Sequence, residues 1–194
     1  MMLKLAVVLV STRPGRKGPP IARWFHDFAQ EHGSFELEWV DLAEVNLPVL
    51  DEPNHPRLQQ YTQAHTKAWS AIVAAADAFV FVTPEYNYSA PPSLINALDY
   101  VYLEWNYKPA AFVSYGGLSG GMRSVQMSRQ ILTALKMVPI VEAVTIPFFT
   151  KHLDEAGHFV SDEHFDNSAT ALLKELHKWA QALQPLHRAD KASP

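Results

Sequence analysis

Five short apolar runs punctuate the chain, and between them the apolar positions recur at helical spacing. The runs are Leu3 to Val10, Phe35 to Asp41, Ala78 to Thr83, Ala110 to Tyr115 and Ile140 to Ile146. The first, third and fourth are almost unbroken by polar residues, as expected of parallel strands covered on both faces. The helical stripes are Ile21, Trp24, Phe25 and Phe28; then Leu58, Tyr61, His65, Ala68, Trp69, Ile72 and Val73; then Leu94, Ala97, Leu98, Val101 and Trp105. Val125, Leu132 and Leu135 make a fourth, and Leu172, Leu176, Trp179 and Leu183 a fifth. Strands alternating with helices predict a three-layer α/β domain, a five-stranded parallel sheet with helices on both faces and right-handed crossovers. The strand order expected is 2-1-3-4-5, with its switch point between the first and third strands. One domain spans 1–184. The stretch Glu44 to Arg57, holding Pro48, Pro53 and Pro56, reads as a long loop, and 185–194 as a loose tail.

Composition narrows the functional classes. A net charge of −4 provides no global basic field for nucleic acid. No apolar run approaches the ~20 residues of a membrane span. The first run also lacks the basic front and cleavage site of a secretory signal, so a cytoplasmic location is the default expectation. With 0 cysteines there are no disulfides, thiolate metal sites or cysteine nucleophiles. The 9 histidines include His152, His158 and His164, whose six-residue spacing shares no helical face. Without an H-E-x-x-H pattern they read as surface residues, and no metal ligand is assigned.

The chemistry gathers where strands end. After Val10 comes Ser11-Thr12-Arg13-Pro14-Gly15-Arg16-Lys17-Gly18-Pro19-Pro20-Ile21, with Arg23 beyond and no acid before Asp27. Hydroxyls, cations and two glycines ahead of a proline-opened helix describe a site for a terminal phosphate. The pattern is neither a nucleoside-triphosphate P-loop nor a dinucleotide G-x-G-x-x-G. The plainer alternative is a solvated basic loop. After the third run, Thr83-Pro84-Glu85-Tyr86-Asn87-Tyr88 offers ring faces, an amide and main-chain donors. Ala90-Pro91-Pro92-Ser93 then leaves room beside them. Its alternative is two tyrosines packed beneath a loop. Glu85 and Asp99 do not suit a glycosidase pair, since one sits at a strand end and the other within the next helix. After the fourth run, Ser114-Tyr115 leads into Gly116-Gly117-Leu118-Ser119-Gly120-Gly121, where glycine allows close approach of a ligand or φ > 0 turns. Together the three strand ends describe a pocket for a flat, aromatic, phosphorylated ligand, and FMN fits best.

These residues resemble the NADPH-dependent FMN reductase family of flavodoxin-like flavoproteins. The likeness rests on the loop Val10 to Gly18, on Pro84-Glu85-Tyr86-Asn87, on Leu94-Ile95-Asn96-Ala97-Leu98-Asp99 and on Gly116-Gly117, in order over roughly residues 3–146. Val10 stands where the family usually has Gly, and Ile95 where it usually has Lys. The resemblance implies that Ser11, Arg13, Lys17, Gly18, Pro19 and Ile21 surround the FMN phosphate, with Arg16 nearby. It implies that Pro84, Glu85, Tyr86 and Asn87 line the ribityl chain and ring, and that Ser114, Tyr115, Gly116 and Gly117 face the pyrimidine edge. It further implies a ping-pong oxidoreductase that takes a hydride from NADPH, or NADH, and reduces a quinone, azo compound, free flavin or oxyanion. No catalytic side chain is assigned. Arg13, Arg16 and Arg123 are the candidates to meet a 2′-phosphate. A homodimer or homotetramer is expected, with Tyr100, Tyr102, Trp105 and Tyr107 either at its interface or packed in the core. The competing class is a flavodoxin-like FMN electron carrier without nicotinamide turnover.

Overall fold

In the computed structural model, which describes residues 2–192, every apolar run forms a strand. They are β1 (Lys4–Leu9), β2 (Glu36–Asp41), β3 (Ala78–Pro84), β4 (Pro109–Tyr115) and β5 (Val138–Ile146). All neighbours pair in parallel, in the order β2-β1-β3-β4-β5. The helices are α1 (Gly18–His32), α2 (Leu42–Val45), α3 (Ala64–Ala75), α4 (Pro92–Asp99), α5 (Met122–Ala134) and α6 (Glu163–Ala192). None is long and apolar enough to cross a membrane among the described residues.

The pleat of the sheet divides the core. Leu5, Val7 and Leu9 of β1 point to one face, where Ile21 and Phe25 of α1 and Leu172 and Leu176 of α6 cover them. Ala6 and Val8 point to the other, against Trp69 and Val73 of α3, Leu94 and Leu98 of α4 and Leu132 of α5. β3 and β4 are buried along their whole length, which is why their sequences carry no alternation. Two buried indoles also tie elements together. Trp69 Nε1 donates to the Ala97 carbonyl at 2.8 Å and Trp105 Nε1 to that of Leu98 at 3.2 Å.

Several local expectations change. Leu58 and Tyr61 lie outside α3: Leu58 ends a 3-10 turn, and Tyr61 donates to the buried Glu104 carboxylate at 3.0 Å. Gln59 and Ser70 donate to the same carboxylate, so a buried acid takes up the polar side of this stretch. α4 stops at Asp99; of the expected stripe, Val101 lies beyond its end and Trp105 in a separate 3-10 turn, both buried. Tyr100 and Trp105 are fully buried within the chain and Tyr102 and Tyr107 half-buried, so the first two are core. Trp179, expected inward, is 39% exposed. The short helix α2 runs two residues into the start of the expected loop, and α6 runs through Pro185 to Ala192 with His187 buried, where a tail was expected.

Candidate active site

The carboxyl ends of β1, β3 and β4 meet at the switch point of the sheet. The loop after β1 turns sharply at Arg13-Pro14-Gly15-Arg16, where the Arg16 amide donates to the Arg13 carbonyl at 3.2 Å and Gly15 has φ 69°. Pro at the second and Gly at the third position suit such a turn. The Arg16 side chain does not reach into open space. Its fork donates to both Asp41 oxygens at 2.6 Å and to the Ser11 carbonyl. Asp41 ends β2 and also accepts from the Ala43 amide at 2.9 Å, capping α2. Arg16 therefore locks the loop to the neighbouring strand, and its hydrogen bond to Asp41 holds its guanidinium above its usual pKa. Arg13 and Lys17 are exposed and make no ion pair among the described residues. Ser11 is buried with its hydroxyl unpartnered. Gly18, Pro19 and Pro20 open α1 behind this loop, and Ile21 turns fully into the core.

The loop after β3 is a two-residue hairpin. Tyr86 and Ser89 exchange main-chain hydrogen bonds at 3.1 and 2.9 Å, and the central Asn87 and Tyr88 have φ 51° and 65°. Both central residues left-handed is the type I′ arrangement, which Asn accepts readily and Tyr does not. Tyr88 is held by a cation–π contact, with Arg123 Cζ 4.0 Å from its ring centroid. Arg123 is in turn held by Glu85 at 2.9 Å.

Glu85 does more than pair with Arg123. α5 opens on Gly121, which has no side chain to cap it. The Glu85 carboxylate accepts from the Arg123 amide at 3.1 Å and from the Ser119 hydroxyl at 2.8 Å, so the loop after β3 supplies the cap that α5 lacks. Burial opposes its ionisation, but the Ser119 and Arg123 bonds prevail and hold the carboxyl below its usual range. Gly121 fixes the other side of this junction. It has φ 87°, and a Cβ there would stand 2.9 Å from the main chain of Tyr115.

In the loop after β4, the Gly116 amide donates to the Ile146 carbonyl, and the carbonyls of Gly116 and Gly117 accept from Phe149 and Phe148. The Gly117 amide bonds to nothing in the described protein, nor do the main-chain and side-chain amides of Asn87. These loops enclose a cavity of about 520 Å³ lined by Arg13, Arg16, Lys17, Pro84, Glu85, Tyr86, Asn87, Tyr115, Gly116, Gly117 and Phe149. All but Phe149 come from the three motifs read in the sequence. Ser11, Gly18, Pro19, Ile21 and Ser114 lie behind this lining. Phe149 follows β5 and was missed, although Phe148-Phe149 after Ile146 is another aromatic pair at a strand end. A larger recess of about 760 Å³ runs along α4, past Leu42, Val49 and Ile95. No cation lines it, so the chemistry belongs to the smaller cavity. That cavity fits FMN: the exposed cations Arg13 and Lys17 line it together with the aromatic rings of Tyr86 and Tyr115 and with Asn87 and Gly117, whose amides are open.

This topology places the chain in the flavodoxin-like class of α/β proteins. The chain belongs to the NADPH-dependent FMN reductase family, whose profile matches residues 3–151, and is an oxidoreductase of that kind. An NAD(P)H-dependent FMN reductase of Schizosaccharomyces pombe is 42% identical over 169 residues, covering 78% of this chain and 84% of that protein. A quinone reductase of Pseudomonas putida is 32% identical over 142 residues, 69% of this chain and 71% of its own. Among solved structures, FerB, a flavoenzyme NAD(P)H:(acceptor) oxidoreductase from Paracoccus denitrificans, superposes with a TM-score of 0.73. That match covers 93% of this chain and 98% of FerB at 21% identity, a likeness of fold.

Proposed function

We propose that the chain holds FMN in the cavity at the switch point and works as a ping-pong oxidoreductase. Its donor is NADPH, with NADH as the alternative, and its acceptor is a quinone, azo compound, free flavin or oxyanion. The observation that carries this reading is one cavity lined both by exposed cations, Arg13 and Lys17, and by tyrosine rings with open amides, Tyr86, Tyr115, Asn87 and Gly117. When bound, FMN would supply the redox chemistry, carrying a hydride equivalent from the nicotinamide to the acceptor in two half-reactions. Arg13 and Lys17 would hold the phosphate, and the Asn87 and Gly117 amides would meet the polar edge of the ring. No side chain is required as proton donor: Glu85 is ionised and committed to α5, and solvent reaches the site. A cytoplasmic homodimer or homotetramer completes the reading. The exposed Val49, Leu50 and Leu58 support a further copy covering that side.

Steady-state rates with NADPH and a soluble benzoquinone test the kinetic scheme. Reciprocal plots at several fixed quinone concentrations are expected to be parallel. Lines that converge would require both substrates bound together and would refute two separate half-reactions.

A further inference from the structure

Two exposed aromatic residues flank the cavity, one after β3 and one after β5, with the glycine loop of β4 between them. Tyr88 lies one residue beyond Asn87 and Phe148 one residue before Phe149, and both of those neighbours line the cavity. Tyr88 is 72% exposed and Phe148 46%. Both adopt the left-handed backbone, at φ 65° and 47°, which strains a bulky residue and which glycine or asparagine accepts readily. In the Tyr86–Ser89 turn, Tyr88 takes the position after asparagine where glycine is favoured. Each ring therefore holds a strained position without being buried, and strain kept at the edge of a site points to use there. Tyr107 is left-handed as well, but it precedes β4 at the opposite edge of the sheet and is half-buried.

A cation sits over one face of each ring. Arg123 Cζ is 4.0 Å from the Tyr88 centroid, and Lys151 Nζ is 5.2 Å from that of Phe148. Arg123 is held in turn by Glu85, and the Phe148 amide donates to the Gly117 carbonyl at 2.9 Å, so both residues are anchored before a ligand arrives. Their exposure leaves the remaining ring faces open to a flat molecule. An anion finds no such provision. Arg16 is bound to Asp41, and Arg13 and Lys17 are assigned above to the phosphate. With FMN in place, no cation that lines the cavity is left for an oxyanion.

We propose that Tyr88 and Phe148 set the acceptor specificity: their open faces stack on a flat aromatic acceptor, a quinone, azo compound or free flavin, and the site favours these over an oxyanion such as chromate. This rests on the FMN reading above and narrows its range of acceptors. Offset stacking on a ring already exposed is a modest attraction, enough to hold an acceptor and weak enough to release its reduced product. The rings position the acceptor and make or break no bond, so their effect falls on KM rather than on the limiting rate.

The test uses the FMN-loaded protein with NADPH and compares two acceptors, a water-soluble naphthoquinone and chromate, in the wild type, Tyr88→Gly and Phe148→Asn. Glycine and asparagine keep the left-handed backbone. Tyr88→Gly is expected to raise KM for the naphthoquinone about fivefold and to shrink the preference for it over chromate, in kcat/KM, by about the same factor. Phe148→Asn is expected to act in the same direction. Because strain is relieved, the urea midpoint of Tyr88→Gly should stand at or above that of the wild type. An unchanged preference in both variants would overturn the proposal; a lowered midpoint beside it would mark the rings as packing, and a smaller particle in gel filtration would assign them to a subunit interface. Equal losses for both acceptors would place the effect on the flavin or on NADPH and would also overturn it. A wild type that retains no FMN would overturn the FMN reading, and the acceptor specificity with it, before any variant is compared.

Discussion

Replacing Arg16 with Met is expected to cost the apoprotein about 3 kcal/mol in urea unfolding, far more than loss of a surface cation. The side chains of Arg16 and Asp41 are only 19% and 5% exposed, and they meet through two bonds of 2.6 Å. Without the guanidinium, Asp41 keeps a buried charge answered only by the Ala43 amide. Removing the second partner should then recover part of the loss. Asp41→Asn in the Arg16→Met background is expected to be more stable than Arg16→Met alone, with a coupling above about 1 kcal/mol. Flavin affinity should fall in the single variant and partly return in the double one, because the effect runs through the loop. If Arg16→Met unfolds like the wild type and weakens FMN alone, Arg16 is a direct phosphate ligand and the locking role is wrong.

Glu85→Ala is the second large effect. It removes the cap of α5, leaves the Arg123 amide and the Ser119 hydroxyl proton without their acceptor, and frees Arg123 from its place over Tyr88. About 2 kcal/mol is expected at neutral pH, together with weaker flavin binding, since both cavity loops lose their common anchor. Glu85→Gln separates charge from shape through pH. The folded-state pKa of Glu85 is lowered, so its charge contributes fully above the ordinary carboxylate value, and that contribution is lost as pH falls through the lowered one. The gap in stability between wild type and Glu85→Gln should be constant above about pH 5 and close as pH drops below the normal glutamate range. Glu52 titrates there too, because bonds from Thr62 and Gln63 overcome its burial and hold it at about 2, but it is present in both proteins and cancels. A gap that stays open down to pH 3 would remove charge from the account of Glu85.

The fold was legible because its signals are local. Continuous apolar runs of β1, β3 and β4 follow from two covered faces, and turn residues mark where each strand stops. The positions of the three loops followed from the same logic, since parallel strands bring all their carboxyl ends to one edge. What could not be read depends on partners distant in sequence. Arg16 looked like a free cation until the pairing of β1 with β2 set Asp41 beside it. Glu85 looked like a pocket carboxylate, yet its partners arrive from α5. Tyr61 fits a helical stripe, but Glu104 offers its hydroxyl a buried acceptor and draws it off the helix. Pro185 read as a stop although the helix runs through it.

A visible spectrum taken after FMN addition and desalting, then again after anaerobic NADPH, tests the central claim most directly. Flavin bands that stay with the protein and bleach on NADPH are the expected result. Bands that stay but do not bleach would contradict the reductase reading in favour of an electron carrier, and a colourless protein that also leaves NADPH unoxidised with excess FMN would contradict flavin chemistry altogether.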